Sequence, residues 1–375
     1  MKQSLPEYFR SRLDAIVDEI NELVSIETPS HDIDRSLRIA ELLASKFREA
    51  ADSVEIEKAD GAGSHIIARA GIDLGTCPTL ILGHTDTVHP IGTIDKNPIR
   101  IENSRLFGPG VFDMKGNIPV ILEALRYLHG EKIDRPITIL LSCDEETGSA
   151  TGRELVEREA AKSSRCFVLE PSAAGKVKTG RKGTGVFCLE ATGVPAHAGL
   201  EPDRGANAVA ELARQVDAIH SLANRDAGTT VNVTTFSGGT TTNVIPAFAA
   251  CEIDVRFSNA AEGDRVEAEL RNLSAQDPRV KLELKGRINR PPLEETKDVM
   301  ALYERARAAA LGLGFELEHT QVGGASDGNF VAALGIPVLD GLGITGDGAH
   351  TLDEYIEIED IPRRAALLTR LLIGE

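Results

Sequence analysis

The chain has 375 residues, with 41 Lys+Arg against 58 Asp+Glu and a formal charge of −17. That acidity argues against a nucleic-acid or anionic-membrane partner, both of which need a positive face. With 42% hydrophobic and 26% charged residues the chain is a folding one, and its length suits two domains better than one. The first residues contain no apolar run of the kind a secretory leader needs, and no stretch nears the roughly 18 apolar residues of a membrane span. The five cysteines include no C-x-x-C pair. Because Cys143, Cys166, Cys188 and Cys251 sit in or beside apolar runs, they are expected to be buried reduced thiols in a cytoplasmic protein.

In chain order, Phe9, Leu13, Ile16, Val17, Ile20, Leu23 and Val24 recur at helical spacing and predict a helix ending before Thr28-Pro29-Ser30. Leu37 to Phe47 predicts a second helix. Apolar runs then alternate with helical stretches: Thr79 to Leu82, a helix around Ile118 to Leu128, Ile137 to Leu141, a helix around Arg153 to Glu159, and Cys166 to Leu169. Such alternation marks an α/β sheet with a substantial parallel part. From Lys178 the order becomes strand (Val186 to Ala191), helix (Asn207 to Leu222), strands (Thr230 to Phe236, Phe248 to Phe257), helix (Glu262 to Leu273) and strand (Val280 to Leu284). That is the β-α-β-β-α-β order of a ferredoxin-like α+β domain. The α/β pattern resumes with a helix from Val299 to Leu311, the apolar run Ile336 to Leu339 and a last helix after Pro362. Residues 180–289 are therefore expected to form a small domain inserted into a larger one made of residues 1–179 and 290–375.

Ligands of open α/β sheets bind at the carboxyl ends of the strands. His84 and Asp86 follow one apolar run, Asp113 follows Leu106-Phe107 and opens a helix, and Asp144, Glu145 and Glu146 follow another run. Glu170 follows a third, and His350 sits in a late Gly-rich stretch. Singly, these read as turn residues, solvated loop or a helix N-cap. Jointly, imidazoles and carboxylates without thiolate suit zinc, and one shared carboxylate would allow two ions about 3.5–4 Å apart.

Seven segments, in order, resemble the M20 zinc metallopeptidases over nearly the full length, and within them the glutamate carboxypeptidase (carboxypeptidase G-like) branch. They are Gly83-His84-Thr85-Asp86-Thr87-Val88, Gly108 to Gly116, Asp144-Glu145-Glu146-Thr147-Gly148-Ser149, Leu169-Glu170-Pro171, Ala196-His197-Ala198-Gly199, Asn243 to Ala247 and Gly323-Gly324-Ala325-Ser326-Asp327. The resemblance implies a zinc-peptidase-like catalytic domain with a mostly parallel mixed sheet, and makes the inserted domain a lid that dimerises. It implies two zinc ions per subunit, replaceable by cobalt or manganese. Asp113 would bridge them, His84 and Glu170 complete one site, and Glu146 and His350 the other.

By the same resemblance, Asp86 would accept from the His84 imidazole and fix its tautomer. Glu145 would be the general base, with Glu145 and Glu146 dividing the work through alternating backbone direction. His197, from the lid of a second subunit, would donate to the oxyanion. Arg256, Asn243 and the turn with Gly324 and Ser326 would hold a substrate carboxylate, with Arg181 and Lys182 as further candidates through similarity to succinyl-diaminopimelate desuccinylases. The expected reaction is amide hydrolysis releasing a C-terminal amino acid, glutamate or aspartate, from an N-acyl or peptidyl conjugate. An N-acyl-amino-acid or succinyl-diamino-acid deacylase is the alternative, and a catalytically silent binding protein a weaker one. His89 and Lys115 receive no role.

Overall fold

A computed structural model describes residues 3–71, 75–132 and 134–374. The chain divides into two compact units: Met1–Thr179 with Glu295–Gln321 and Ser326–Glu375, and Gly180–Glu294 with Val322–Ala325.

The first unit is built on a six-stranded sheet in the order Ser53–Ala59, Gly63–Ala70, Ile137–Ser142, Thr79–His84, Arg165–Val168, Val338–Leu339. The last four strands are mutually parallel and the first two antiparallel, so the sheet is mixed and mostly parallel. Thr79–His84 and Ile137–Ser142 are buried at every position, as expected of strands covered on both faces. The helical periodicity of the first segment resolves into Leu5–Ser11 and Leu13–Val24, separated at Arg12. Phe9, Ile20 and Leu23 are fully buried there, each contributing roughly 1.5–3 kcal/mol. Ile118–Gly130 and Ile361–Ile373 pack against each other in the same core. The edge hairpin Ser53–Ala59/Gly63–Ala70 had no counterpart among the sequence expectations.

A second, four-stranded antiparallel sheet runs Gly346–Asp347, Tyr355–Glu357, Arg105–Phe107, Arg100–Glu102. Its strands are two or three residues long, too short to show a periodicity. Arg105 stacks 4.2 Å above the Tyr355 ring and Arg100 4.2 Å above Phe107, which supplies cation–π attraction where the ladder is brief.

In the second unit, Gly183–Thr192, Ala208–Ser221, Thr230–Gly238, Phe248–Phe257, Ala260–Arg271 and Lys281–Arg290 follow the β-α-β-β-α-β order. The strands run Lys281–Arg290, Gly183–Thr192, Phe248–Phe257, Thr230–Gly238, antiparallel throughout, which is the ferredoxin-like arrangement. Alternation along Phe248–Phe257 turns Cys251, Ile253, Val255 and Phe257 into the core and leaves Arg256 on the other face. The last strand continues to Arg290, six residues beyond the expected end, and the unit extends to Glu294. Among the described residues no helix is long and apolar enough to cross a membrane.

Candidate active site

Three parallel neighbours deliver their carboxyl ends side by side. Thr79–His84 lies between Ile137–Ser142 and Arg165–Val168, with His84 paired to Ser142 and Leu82 to Val168. His84 thus ends the central strand, Glu145 and Glu146 follow one neighbour, and Glu170 follows the other. The small sheet supplies the rest: Asp113 follows Arg105–Phe107, and His350 lies between Gly346–Asp347 and Tyr355–Glu357. Since Tyr355 pairs with Phe107, these two loops emerge together.

The side chains converge accordingly. His84 Nε2 lies 3.1 Å from Asp113 Oδ1 and 3.3 Å from Glu170 Oε1. His350 Nε2 lies 3.3 Å from Asp113 Oδ2 and 3.2 Å from Glu146 Oε2. Two donors each about 2.0–2.1 Å from a tetrahedral ion stand about 3.3 Å apart, so this spacing fits a cation between each imidazole and its carboxylates. Glu146 Oε1 is a buried carboxylate oxygen without a hydrogen-bond partner, which a metal ion would satisfy. The donor set holds no thiolate and suits a hard or borderline ion.

Electrostatics agree with the geometry. Like charges 4 Å apart repel by about 4 kcal/mol near a protein surface. Burial pushes the His84 pKa down, yet hydrogen bonds to Asp113, Asp86 and Glu170 raise it well above its ordinary value. Asp113 and Glu146 hold the His350 imidazolium up to about 10. Burial pushes Asp113 up, but the two imidazoles hold it far below the usual carboxylate range. Burial raises Glu146. Protons therefore stand at neutral pH where a cation would sit. Metal binding to the metal-free protein at pH 7 is expected to release about one proton per ion, read by calorimetry in buffers of different ionisation enthalpy. Binding without proton release would show the imidazoles neutral beforehand.

The Glu145–Glu146 segment is a single 3₁₀ turn, Glu145–Thr147, not extended backbone. The two side chains diverge by helical rotation rather than by strand alternation, which corrects the expectation above. Asp86 holds this turn: its Oδ1 accepts from the Glu145 N–H and its Oδ2 from the Glu146 N–H, both at 3.2 Å, and Oδ2 also accepts from Ser30 Oγ at 2.7 Å. The nearest acceptor for His84 Nδ1 is the Asp86 backbone carbonyl at 2.9 Å, with the carboxylate at 3.4 Å. Sequence reasoning missed Ser30, which carries no chemical signature of its own. Glu145 is buried, its carboxylate forming a group with His84 and Glu170 whose ligand atoms lie within 4.8 Å of one another.

Asp113 does not open a helix. A 3₁₀ turn, Lys115–Asn117, precedes the helix Ile118–Gly130, whose start is set by Pro119 in its first turn. The loop doubles back tightly enough that a Cβ on Gly116 would lie 2.3 Å from the Val111 carbonyl oxygen. Lys115 is fully buried, its Nζ donating to the Ile26 carbonyl at 2.6 Å, and burial pushes its pKa down to about 7.

A further buried trio, His65, Cys143 and Asp144, lies behind the Glu145 turn. Thr151 Oγ1 donates to Asp144 Oδ2 and stands 3.0 Å from His65 Nε2, while the Cys143 N–H donates to His65 Nδ1. These partners place the ring proton on Nε2. Burial pushes the imidazole pKa down and the Cys143 thiol up to about 12. A neutral ring beside a protonated thiol is a hydrogen-bonded prop, not a thiolate metal site.

Ser326 is fully buried, its hydroxyl donating to Asp340 at 2.6 Å and its N–H to Asn329 at 3.0 Å. Its expected part in carboxylate binding is thereby corrected, because both donors serve the fold. His197, Asn243, Arg256, Arg181 and Gly324 belong to the second unit. There His197 is exposed, and its Nδ1 accepts from the Gly199 and Leu200 N–H groups at 3.2 and 3.1 Å. That leaves Nε2 as the donor. Asn243 lies next to it, its carbonyl accepting from the Ala198 N–H at 2.9 Å. Arg256 donates to Asp254 through Nε and Nη2, at 3.0 and 2.7 Å. Arg181 is buried and braces the Gly324 and Ala325 carbonyls.

Comparison with known proteins gives the family. Residues 80–374 match the profile of peptidase family M20/M25/M40. The chain is 30% identical over 376 residues to carboxypeptidase G2 of Pseudomonas sp. (strain RS-16), covering 96% of this chain and 89% of that one. It is 31% identical over 319 residues to a succinyl-diaminopimelate desuccinylase of Cereibacter sphaeroides, covering 77% and 81%. Its fold is similar to that of aminopeptidase PepT from Bacillus cereus, with a TM-score of 0.76, 23% identity and coverage of 96% and 98%. The chain belongs to peptidase family M20/M25/M40 and is a hydrolytic enzyme.

Proposed function

We propose that the protein is a dinuclear zinc hydrolase that cleaves an amide bond and releases a C-terminal amino acid, glutamate or aspartate, from an N-acyl or peptidyl conjugate. One observation carries the reading: each Asp113 oxygen faces a different imidazole, and each imidazole faces a second carboxylate of its own. A shared carboxylate with two complete flanking sets is what two ions require. His84, Asp113 and Glu170 would hold one, and Asp113, Glu146 and His350 the other, with cobalt or manganese as substitutes.

Such ions, when bound, would supply Lewis acidity that makes a nearby water a stronger acid. Glu145 would take the proton of the attacking water and later return it to the leaving amine. Asp86 fixes the Glu145 turn through its backbone N–H groups. His197 donates from Nε2 to the oxyanion of the tetrahedral intermediate. Asn243, Arg256 and the Gly324 turn, braced by Arg181, are the proposed holders of the substrate carboxylate. We further read the second unit as a lid and dimerisation domain whose His197 serves a second copy of the chain, in a cytoplasmic setting consistent with five free cysteines.

A hydrolysis screen of N-acyl amino acids, dipeptides and N-succinyl diamino acids, with zinc and with cobalt, tests the reading through the amino acid released. Turnover of none would overturn it. The desuccinylase relative supports deacylation of an N-succinyl diamino acid as the second reading, and selective turnover of that class would favour it. His197→Ala is expected to lower turnover more than metal content. Mixing it with Glu145→Ala chains should restore part of the activity, and no recovery would argue against donation between subunits.

A further inference from the structure

Three segments carrying proposed ligands meet on one carboxylate that is not itself among the ligands. Glu354 follows His350 by four residues, and its side chain is 1% exposed. Oε1 accepts from the Phe112 and Asp113 N–H groups at 2.8 and 2.9 Å. Oε2 accepts from the Gly110 N–H at 2.8 Å and meets His89 Nε2 at 2.7 Å. The Glu354 carbonyl accepts from Gly108 at 3.3 Å. His89 lies five residues beyond His84, on the same loop as Asp86. One side chain therefore binds the His84 loop, the Asp113 loop and the His350 loop together.

We propose that Glu354 and His89 form a positioning pair that sets the spacing of the metal ligands, an inference that rests on the dinuclear reading above. The reasoning is local. The Asp113 N–H is gripped by Glu354, so displacement of that carboxylate moves the backbone of the bridging ligand itself. His350 lies four residues before the same anchor, and it holds a left-handed backbone at φ 65, a conformation that a Cβ disfavours. Such a conformation persists where its surroundings impose it. Glutamine at 354 has the shape of glutamate but replaces one acceptor oxygen by a donor. Either the Phe112–Asp113 pair or the Gly110–His89 pair would then face an NH₂ group.

The test uses the full chain, cleared of metal and then titrated with cobalt(II). In metal-free Glu354→Gln, hydrogen exchange at Gly110, Phe112 and Asp113 is expected to accelerate. Cobalt affinity is expected to fall about 10–100-fold with an altered visible spectrum, the range found for groups that orient metal ligands. His89→Ala should lose about 10-fold in affinity, and His89→Gln, which restores a donor, should recover most of it. Wild-type exchange, affinity and spectrum in both Glu354→Gln and His89→Ala would overturn the proposal. If Glu354→Gln does not fold, His89→Ala against His89→Gln decides it, and unchanged exchange over Gly110–Asp113 in His89→Ala overturns it. Should the wild-type chain bind no cobalt, the dinuclear reading falls, while the exchange data on metal-free chains still judge the network.

Discussion

Glu145→Ala is expected to lower kcat by about 10²–10⁴-fold, the span a positioned general base contributes, while the chain keeps its full metal complement. Four imidazole–carboxylate contacts of 3.1 to 3.3 Å at the centre are made by Asp113, Glu146 and Glu170. Glu145 nevertheless forms a compact group with His84 and Glu170, so a ligand role is the physical alternative. Metal analysis separates the two. A base leaves metal content unchanged when removed, whereas a ligand does not. Glu145→Gln sharpens the comparison, because it keeps the shape and the grip of Asp86 on the backbone N–H but cannot carry a proton as a base. Activity of either variant within a few-fold of wild type would remove Glu145 from the mechanism, and loss of an ion would make it a ligand.

Asp113→Asn is expected to abolish turnover and to reduce bound metal from the two proposed ions to one or none per chain. An amide offers one acceptor oxygen where the carboxylate offers two, so only one of the two imidazole-bearing sets keeps its acceptor. The metal-free variant provides a second readout. Hydrogen bonding to Asp113 is the largest cause holding His350 up to about 10, with Glu146 next. Losing that anion should move the His350 titration downward, measured by NMR of its ring protons. The sign is fixed by the charge removed: a lost neighbouring negative charge makes an imidazolium a stronger acid. An unchanged His350 midpoint together with full metal content would show that Asp113 is not shared.

The alternating apolar runs of the large unit and the order of the small one were readable in advance, because helix and strand periodicity is a local property. The donors His84, Asp113, Glu146, Glu170 and His350 were readable too, since each follows a run or turn that presents it. What escaped was of two kinds. The strands Arg100–Glu102, Arg105–Phe107, Gly346–Asp347 and Tyr355–Glu357 are two or three residues long, too short for a pattern to repeat. They are also the scaffold that brings Asp113 beside His350. Polar residues whose partners lie far away in sequence escaped as well. Ser30 reaches Asp86 across 56 positions, and Glu354 reaches Gly110 across 244.

By itself, then, the amino-acid sequence determined which chemistry is present: imidazoles and carboxylates at strand ends, no thiolate pair, and an inserted α+β unit. Only the tertiary structure decided how each polar group is used. It gave the Asp86 carboxylate to the Glu145–Glu146 backbone and its carbonyl to His84. It bound Ser326 to Asp340, paired Arg256 with Asp254, and placed Glu354 at the meeting of three loops. The reason is that donor type belongs to the residue, whereas a hydrogen bond depends on distance and angle between groups that chain folding alone brings within about 3 Å.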